Sequence, residues 1–327
     1  MHGRTTDGFD CLFFHLAFCV LIAAIALTKS LFKDIYAMSF FIIGCLISTA
    51  MQGLNNISVV SMLNIVIAVS IISVMRNFKD STKATNIFIL ASVINLLIVL
   101  FSSMGFTPII ENVKGEPGGL LGNAPRLCYY LAITMPFVVE KFPLSAIIYI
   151  FLSLIFKEIY VSVFAIFFIV KNIHLERRYA YTISLIAFFV LTFFFFKHIS
   201  HALSARWSVW EPTIAQAFSK PLFGHGLTVF PFVSEQFIHI IGYKVANAFS
   251  SFIQFFFACG IAGLIGLTLT ISKIGIKFPL KAAAYSLIIL ALLSIFEYPF
   301  EVPKLWPTIC FIIAMHLNDT EGSITCS

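Results

Sequence analysis

The feature that most constrains this chain is a series of long apolar runs from which charge is missing. Residues 57–75, 86–104 and 247–271 contain no Asp, Glu, Lys or Arg at all. A helix needs about 20 mostly apolar residues to cross the hydrocarbon of a bilayer, and several runs reach that length. Composition agrees. Only 11% of residues are charged and 60% are hydrophobic, whereas a soluble domain carries about 25% charged residues. So few charges cannot cover a water-facing surface, and lipid is the expected solvent for much of the outside. The apolar runs predict eleven helices, at 11–28, 35–52, 57–75, 86–104, 120–139, 144–156, 159–171, 181–197, 247–271, 281–298 and 304–317. The expected fold is all-α, a polytopic transmembrane helical bundle forming one integral membrane domain over 1–327. The first run, from Cys11 to Thr28, is followed at once by Lys29 and Lys33 and reads as a membrane anchor.

Two of these runs, 144–156 and 159–171, fall short of the usual ~17-residue minimum and are separated only by Lys157 and Glu158. Basic residues decide how to count them. They cluster in four breaks, at Lys29 and Lys33, at Arg76 to Lys83, at Lys171 to Arg178 and at Lys273 to Lys281. Cytoplasmic loops carry the excess of Lys and Arg. The four breaks share one side only if the short runs are two separate crossings. That arrangement predicts an outside N-terminus and an inside C-terminus. Two sizeable loops then lie outside, 105–119 and 198–246. The second is the one long polar segment. The net charge of +6 is therefore topological, and no basic patch interleaved with stacking aromatics points to nucleic acid.

Much chemistry is excluded. No phosphate-cradling GxxxxGK[ST], no HExxH, no GxSxG and no GxGxxG occurs. The seven cysteines show no metal-ligand spacing, so neither a metal site nor a disulfide framework is expected. Glu297 and the Lys157-Glu158 pair are the main ionisable residues near apolar runs. Such charges are functional by default inside a membrane and cheap near its surface.

Four interruptions of the apolar pattern fall on the expected outer face. Gly118 to Arg126 opens a span, with Asn123 and Arg126 at its mouth; a helix start with a snorkelling arginine explains it equally well. Arg206 and Trp210 stand four apart and share a face if that stretch is helical. Pro221-Leu222-Phe223-Gly224-His225-Gly226 follows. A guanidinium there suits a phosphate, and packing of Arg206 on Trp210 is the plainer alternative. Phe249 to Gln254 leads into Gly260-Ile261-Ala262-Gly263, by default a packing face of small residues. Glu297-Tyr298-Pro299 closes a late helix, where Pro299 alone would end it.

In this order the motifs resemble those of the bacterial O-antigen polymerase and O-antigen ligase superfamily, which includes the protein O-oligosaccharyltransferases. The resemblance rests on Gly122-Asn123, Arg206 to Trp210, Pro221 to Gly226, Gly260 to Gly263 and Glu297 to Pro299, and covers about 118–315. Two departures stand out. The family's histidine position falls on Phe249, and its Ser-Arg between the short helices is missing, with Lys157 the nearest basic residue. The departures weaken a ligase assignment more than a polymerase one.

The resemblance implies a multi-pass glycosyltransferase of the bacterial inner membrane, with its site facing the periplasm. The donor would be an undecaprenyl-diphosphate-linked glycan. The acceptor would be a second glycan or lipid A-core, and no cofactor or metal would take part. The diphosphate is already a good leaving group, so stabilising its charge supplies much of the rate. Arg206, then Arg126, then Lys157 are the candidates for that task, with Asn123, Trp210 and Glu297 beside them on the glycan. A general base assists an acceptor hydroxyl; with Phe249 at the usual position, His239 or His225 could substitute, and a loop histidine with no catalytic role is the plainer reading of either. The alternatives are a polysaccharide-unit flippase or other secondary transporter, and an inactive membrane paralogue.

Overall fold

The computed structural model describes residues 81–104, 124–172, 177–194, 196–227, 229–242, 245–274 and 280–322, with a few positions between 42 and 72. The described residues are helices and turns, with no strand among them. The helices are α1 (Ser81–Ser103), α2 (Ala124–Lys141), α3 (Ser145–Phe156), α4 (Ile159–Asn172), α5 (Arg177–Phe194) and α6 (Phe196–Ala217). Single turns α7 (Phe230–Val233) and α8 (Ile238–Ile241) follow, then α9 (Ser251–Ile274), α10 (Ala282–Phe296) and α11 (Trp306–Gly322). The expected spans 11–28, 35–52 and 57–75, the 105–119 loop and Asn123 lie wholly or almost wholly outside the described residues.

Helix α2 is the hub. From Leu127 to Val139 every side chain except the half-buried Tyr130 is enclosed. It packs against α1, α3, α4 and α10. Ladder contacts set the directions. Asn86 accepts from Lys141 at 2.6 Å and Ser92 pairs with Tyr130 at 3.2 Å, so α1 and α2 are antiparallel. Phe88 stacks on Phe311 at 4.2 Å and meets Phe137 edge-on at 5.1 Å, which brings α11 into the same core.

The two short runs form a helical hairpin. Its apex is Lys157, which holds a left-handed backbone (φ 59) with no glycine to ease it. The Glu158 N–H closes back on the Ser153 carbonyl at 2.9 Å, capping α3. The Ser153 and Ser162 hydroxyls, four residues before and five after the apex, hydrogen-bond across the hairpin. A single interrupted helix is thereby ruled out for this stretch, and α3 and α4 run in opposite directions.

The polar segment expected as a loop is helical over its first half. Helix α6 begins at Phe196 and carries Arg206 and Trp210 on one face, as their spacing of four requires. Val209 and Ala217 of α6, Phe230 of α7 and Phe257 of α9 then share a second, smaller core.

Apolar side chains also line the outside. Leu90 and Phe101 on α1, Ile147 on α3, and Phe189 and Phe193 on α5 are exposed. Along α5 no described side chain is buried, although the helix is apolar almost throughout. Two described helical stretches are long and apolar enough to cross a membrane, Thr82–Phe101 and Ser251–Ser272. The helices α3, α4 and α10 are shorter and equally apolar.

Helix α9 is broken at Gly260, which adopts φ 61 and ψ −160, a conformation open only to glycine. The break has a partner. The His225 and Gly226 N–H groups donate to the carbonyls of Phe257 and Ala258 at 2.8 and 2.9 Å, and those of Ile261 and Ala262 donate to Pro221 and Leu222 at 2.8 and 3.0 Å. The Pro221–Gly226 turn thus takes up the backbone bonds that the break releases. A Cβ on Gly260 would lie 2.6 Å from the Pro221 and Leu222 carbonyl oxygens. The Gly260–Gly263 motif is therefore a docking point for the turn at its first glycine, more than a face for a neighbouring helix. Gly260→Ala is expected to cost about 3 kcal/mol or more, read as a lowered melting temperature in detergent, whereas Gly242→Ala, with nothing near its Cβ, costs only its positive-φ strain of about 1 kcal/mol.

Candidate functional site

The site is built around the carboxylate of Glu297. Helix α10 ends at Phe296 because Pro299 follows, and Glu297 leaves it in an extended conformation (φ −134, ψ 176). Its N–H bonds the Leu293 carbonyl at 2.7 Å and its own carbonyl accepts from the Ser251 N–H at 2.8 Å, so the backbone is held from both sides. The side chain is only 5% exposed. One carboxylate oxygen accepts from the Arg206 guanidinium and the other from the Tyr129 hydroxyl at 2.5 Å. An ionised carboxylate is tolerated at such burial when it is paired and hydrogen-bonded, and here both oxygens are used.

Tyr298 extends the site. Its ring lies edge-on to Tyr129 at 5.7 Å and to Phe249 at the same distance. The Tyr298 hydroxyl feels the positive charge of both Arg126 and Arg206. Arg126 is exposed on the first turn of α2, three residues before Tyr129 and hence on the same face. Two guanidinium groups from helices far apart in sequence therefore converge on one phenol. Phe249 reaches the cluster with a left-handed backbone (φ 52) just before Ser250, whose hydroxyl accepts from the Ile253 N–H at 3.3 Å and caps α9.

Glu158 completes the group from the hairpin apex. It interacts electrostatically with Glu297, Arg206, Tyr129 and Cys128. Burial pushes its carboxyl up to about 7, the nearby Glu297 adds to the shift, and Arg206 opposes it. Lys157, next to it, is exposed.

The histidines behave differently. The His225 ring stacks on Phe257 at 4.5 Å, and its Nε2 lies 2.8 Å from the Gln216 carbonyl, a distance at which the N–H donates. Its other hydrogen-bond neighbour is Ser219 at 3.3 Å. None of these contacts involves Arg206, Glu297 or Glu158, so His225 joins α6 to α9 and does not enter the cluster. His239 sits exposed on α8.

Trp210 leans on Phe296 at 6.5 Å and meets Trp207 edge-on at 6.4 Å. Its indole N–H is buried with no hydrogen-bond partner among the described residues. A groove of about 1070 Å³ runs along this part of α6, with Trp207, Trp210, Glu211 and Gln216 on its wall. Indole faces beside amide and carboxylate groups are suited to flat polar ligands with hydroxyl groups.

Arg126, Arg206 and Glu297 are thus brought together, with Trp210 one residue beyond Glu297 through Phe296. Tyr129 and Tyr298 were missed as site residues. The spacing of Arg126 to Tyr129 and the adjacency of Glu297 and Tyr298 were the available signals. Comparison of the chain with protein-family models, curated proteins and solved structures gives no match.

Removing the Tyr129 hydroxyl takes one donor from a buried charge, which is expected to cost about 1.5–3 kcal/mol. Glu297→Ala strands Arg206 as well and should lower the melting temperature further than Tyr129→Phe. Burial holds the His225 pKa below its ordinary value. The unfolded histidine protonates near pH 6.5 and the folded one only lower, so the stability held above pH 6.5 falls as pH drops through that region. Glu158, raised to about 7, contributes stability of the opposite sign over this range, so the slope is read as a difference: between pH 7.5 and 5, melting curves in detergent should show wild type losing stability relative to His225→Gln.

Proposed function

We propose that the chain is a membrane glycosyltransferase that moves a glycan from a polyprenyl diphosphate to an acceptor hydroxyl, at the outer face of a bacterial inner membrane. The observation that carries this reading is the convergence of Arg126 and Arg206 at the end of the bundle where Glu297 and Glu158 also lie. Planar guanidinium groups match diphosphate oxygens, and a preformed pair of them stabilises the charge that develops on the leaving group. Glu297 holds Arg206 in place, which removes the cost of ordering that side chain when a ligand arrives. The groove along α6 offers Trp207 and Trp210 as stacking surfaces for sugar rings.

The membrane setting is supported by the large apolar side chains that α1, α3 and α5 leave exposed. Lys141, Lys171, Arg177 and Lys281 lie at helix ends opposite the Glu297 end. Cytoplasmic loops carry such an excess of basic residues, so the cluster would face the periplasm. The motif order shared with O-antigen polymerases and ligases adds the choice of carrier-linked glycan, and the lack of a histidine at Phe249 favours the polymerase.

Deletion of the gene should remove the long surface-polysaccharide ladder and leave a one-unit glycan. Complementation with Arg126→Ala, an exposed substitution that leaves the packing intact, should restore the ladder about 10²-fold less efficiently at unchanged protein level by immunoblot, and Arg206→Lys should restore it only weakly. A deletion strain with an unchanged ladder overturns the reading. So does purified protein that carries lipid-linked glycan across liposomes without lengthening it, the behaviour of a flippase.

A further inference from the structure

Transfer to an acceptor hydroxyl needs a group that takes up the hydroxyl proton, and the cluster offers few. Phe249 has no ionisable atom. The His225 ring is enclosed between Gln216 and Phe257. Glu297 has both oxygens engaged, one by Arg206 and one by Tyr129. Glu158 is different. It is half-buried, it lies within the field of Arg206, and its carboxylate has no hydrogen-bond partner among the described residues. Its place is fixed by its backbone, with the Glu158 N–H on the Ser153 carbonyl and the Glu158 carbonyl accepting from Val161 at 3.2 Å. The strained Lys157 turn and the Ser153–Ser162 bond hold that backbone still. A left-handed lysine is an expensive way to turn a chain, and the turn sets Glu158 at the end of the bundle where Arg126 opens α2 and Glu297, bonded to Tyr129, leaves α10.

Resting on the functional reading above, we propose that Glu158 is the proton acceptor of the transfer reaction. The acceptor hydroxyl gives its proton to a Glu158 oxygen as its own oxygen bonds to the anomeric carbon of the donor glycan. The bond between that carbon and the diphosphate breaks, and its electron pair leaves on the diphosphate, facing Arg206 and Arg126. The products are the new glycoside, the polyprenyl diphosphate and a protonated Glu158, which returns its proton to water.

The charged and titratable groups that face Glu158 are Glu297 from α10, Arg206 from α6, Cys128 and Tyr129 from α2, and Tyr160 from α4, with Lys157 adjoining. Burial and the Glu297 charge set its titration near neutrality, where a base combines an ionised population with useful basicity. The rate of the wild-type protein should therefore fall on the acid side of about pH 7.

The test uses purified full-length protein in lipid nanodiscs and the carrier-linked glycan extracted from the deletion strain. Glu158→Gln, nearly isosteric, should lower kcat about 10²-fold or more while KM stays within about twofold and the residual rate loses its acid limb. Glu158→Asp should keep part of the activity and keep the limb. Glu158→Gln protein with kcat within about threefold of wild type, or with the limb intact, overturns the proposal while leaving the transferase reading in place. A fall in thermal stability with the pH profile unchanged would mean a purely structural role and also overturns it. Wild-type protein that transfers nothing overturns the functional reading and this role with it.

Discussion

A buried carboxylate cannot stand alone in an apolar bundle, and the arrangement at the Glu297 end follows from that requirement. Glu297 needs donors for both oxygens, and it draws them from α6 and α2, while its backbone ties α10 to the first turn of α9. Four helices are thereby brought to one place. Remove the charge and nothing obliges Arg206 to face inward, since a half-buried arginine can reach water instead. The aromatic contacts of Tyr298 with Tyr129 and Phe249 then fill the space around the pair. Stability and the geometry of the candidate site are consequently one matter in this region.

The apolar pattern made most of the helices readable. The paired short runs appear as α3 and α4 within a residue of the boundaries expected from the sequence, because Lys157 and Glu158 are the only polar break and a helix that short must turn back at it. The segment 198–246 was less legible. Its polar composition reads as loop, yet α6 occupies its first part, to Ala217, because His, Ser, Arg and Glu all tolerate a helix and periodicity is blurred when both faces carry polar groups. The role of Gly260 was hidden for another reason. A glycine pair in an apolar run is read as a packing face, and only the distant turn at Pro221–Gly226 shows what backbone the first glycine must meet.

Site residues divide along the same line. Arg206, Arg126 and Glu297 drew notice because charge is rare in this chain. Tyr129 and Tyr298 are ordinary in a sequence so rich in aromatics, and their place depends on which helices touch. The histidines attracted attention by chemistry alone. Once His225 is seen stacked on Phe257 and bonded to a backbone carbonyl, its conspicuous position in a glycine-rich turn is explained by architecture.

The short α3–α4 hairpin bears on the shape of the surrounding lipid. Twelve residues in α3 rise about 18 Å, well short of the ~30 Å hydrocarbon core of a bilayer. In a membrane its tip cannot reach the far headgroups, so either the leaflet dips toward Glu158 or water fills the gap above it. Both would make a notch in the lipid surface beside α2, against which the hairpin packs. Access to the cluster would then come sideways from the leaflet, through a local thinning that the length of one hairpin dictates.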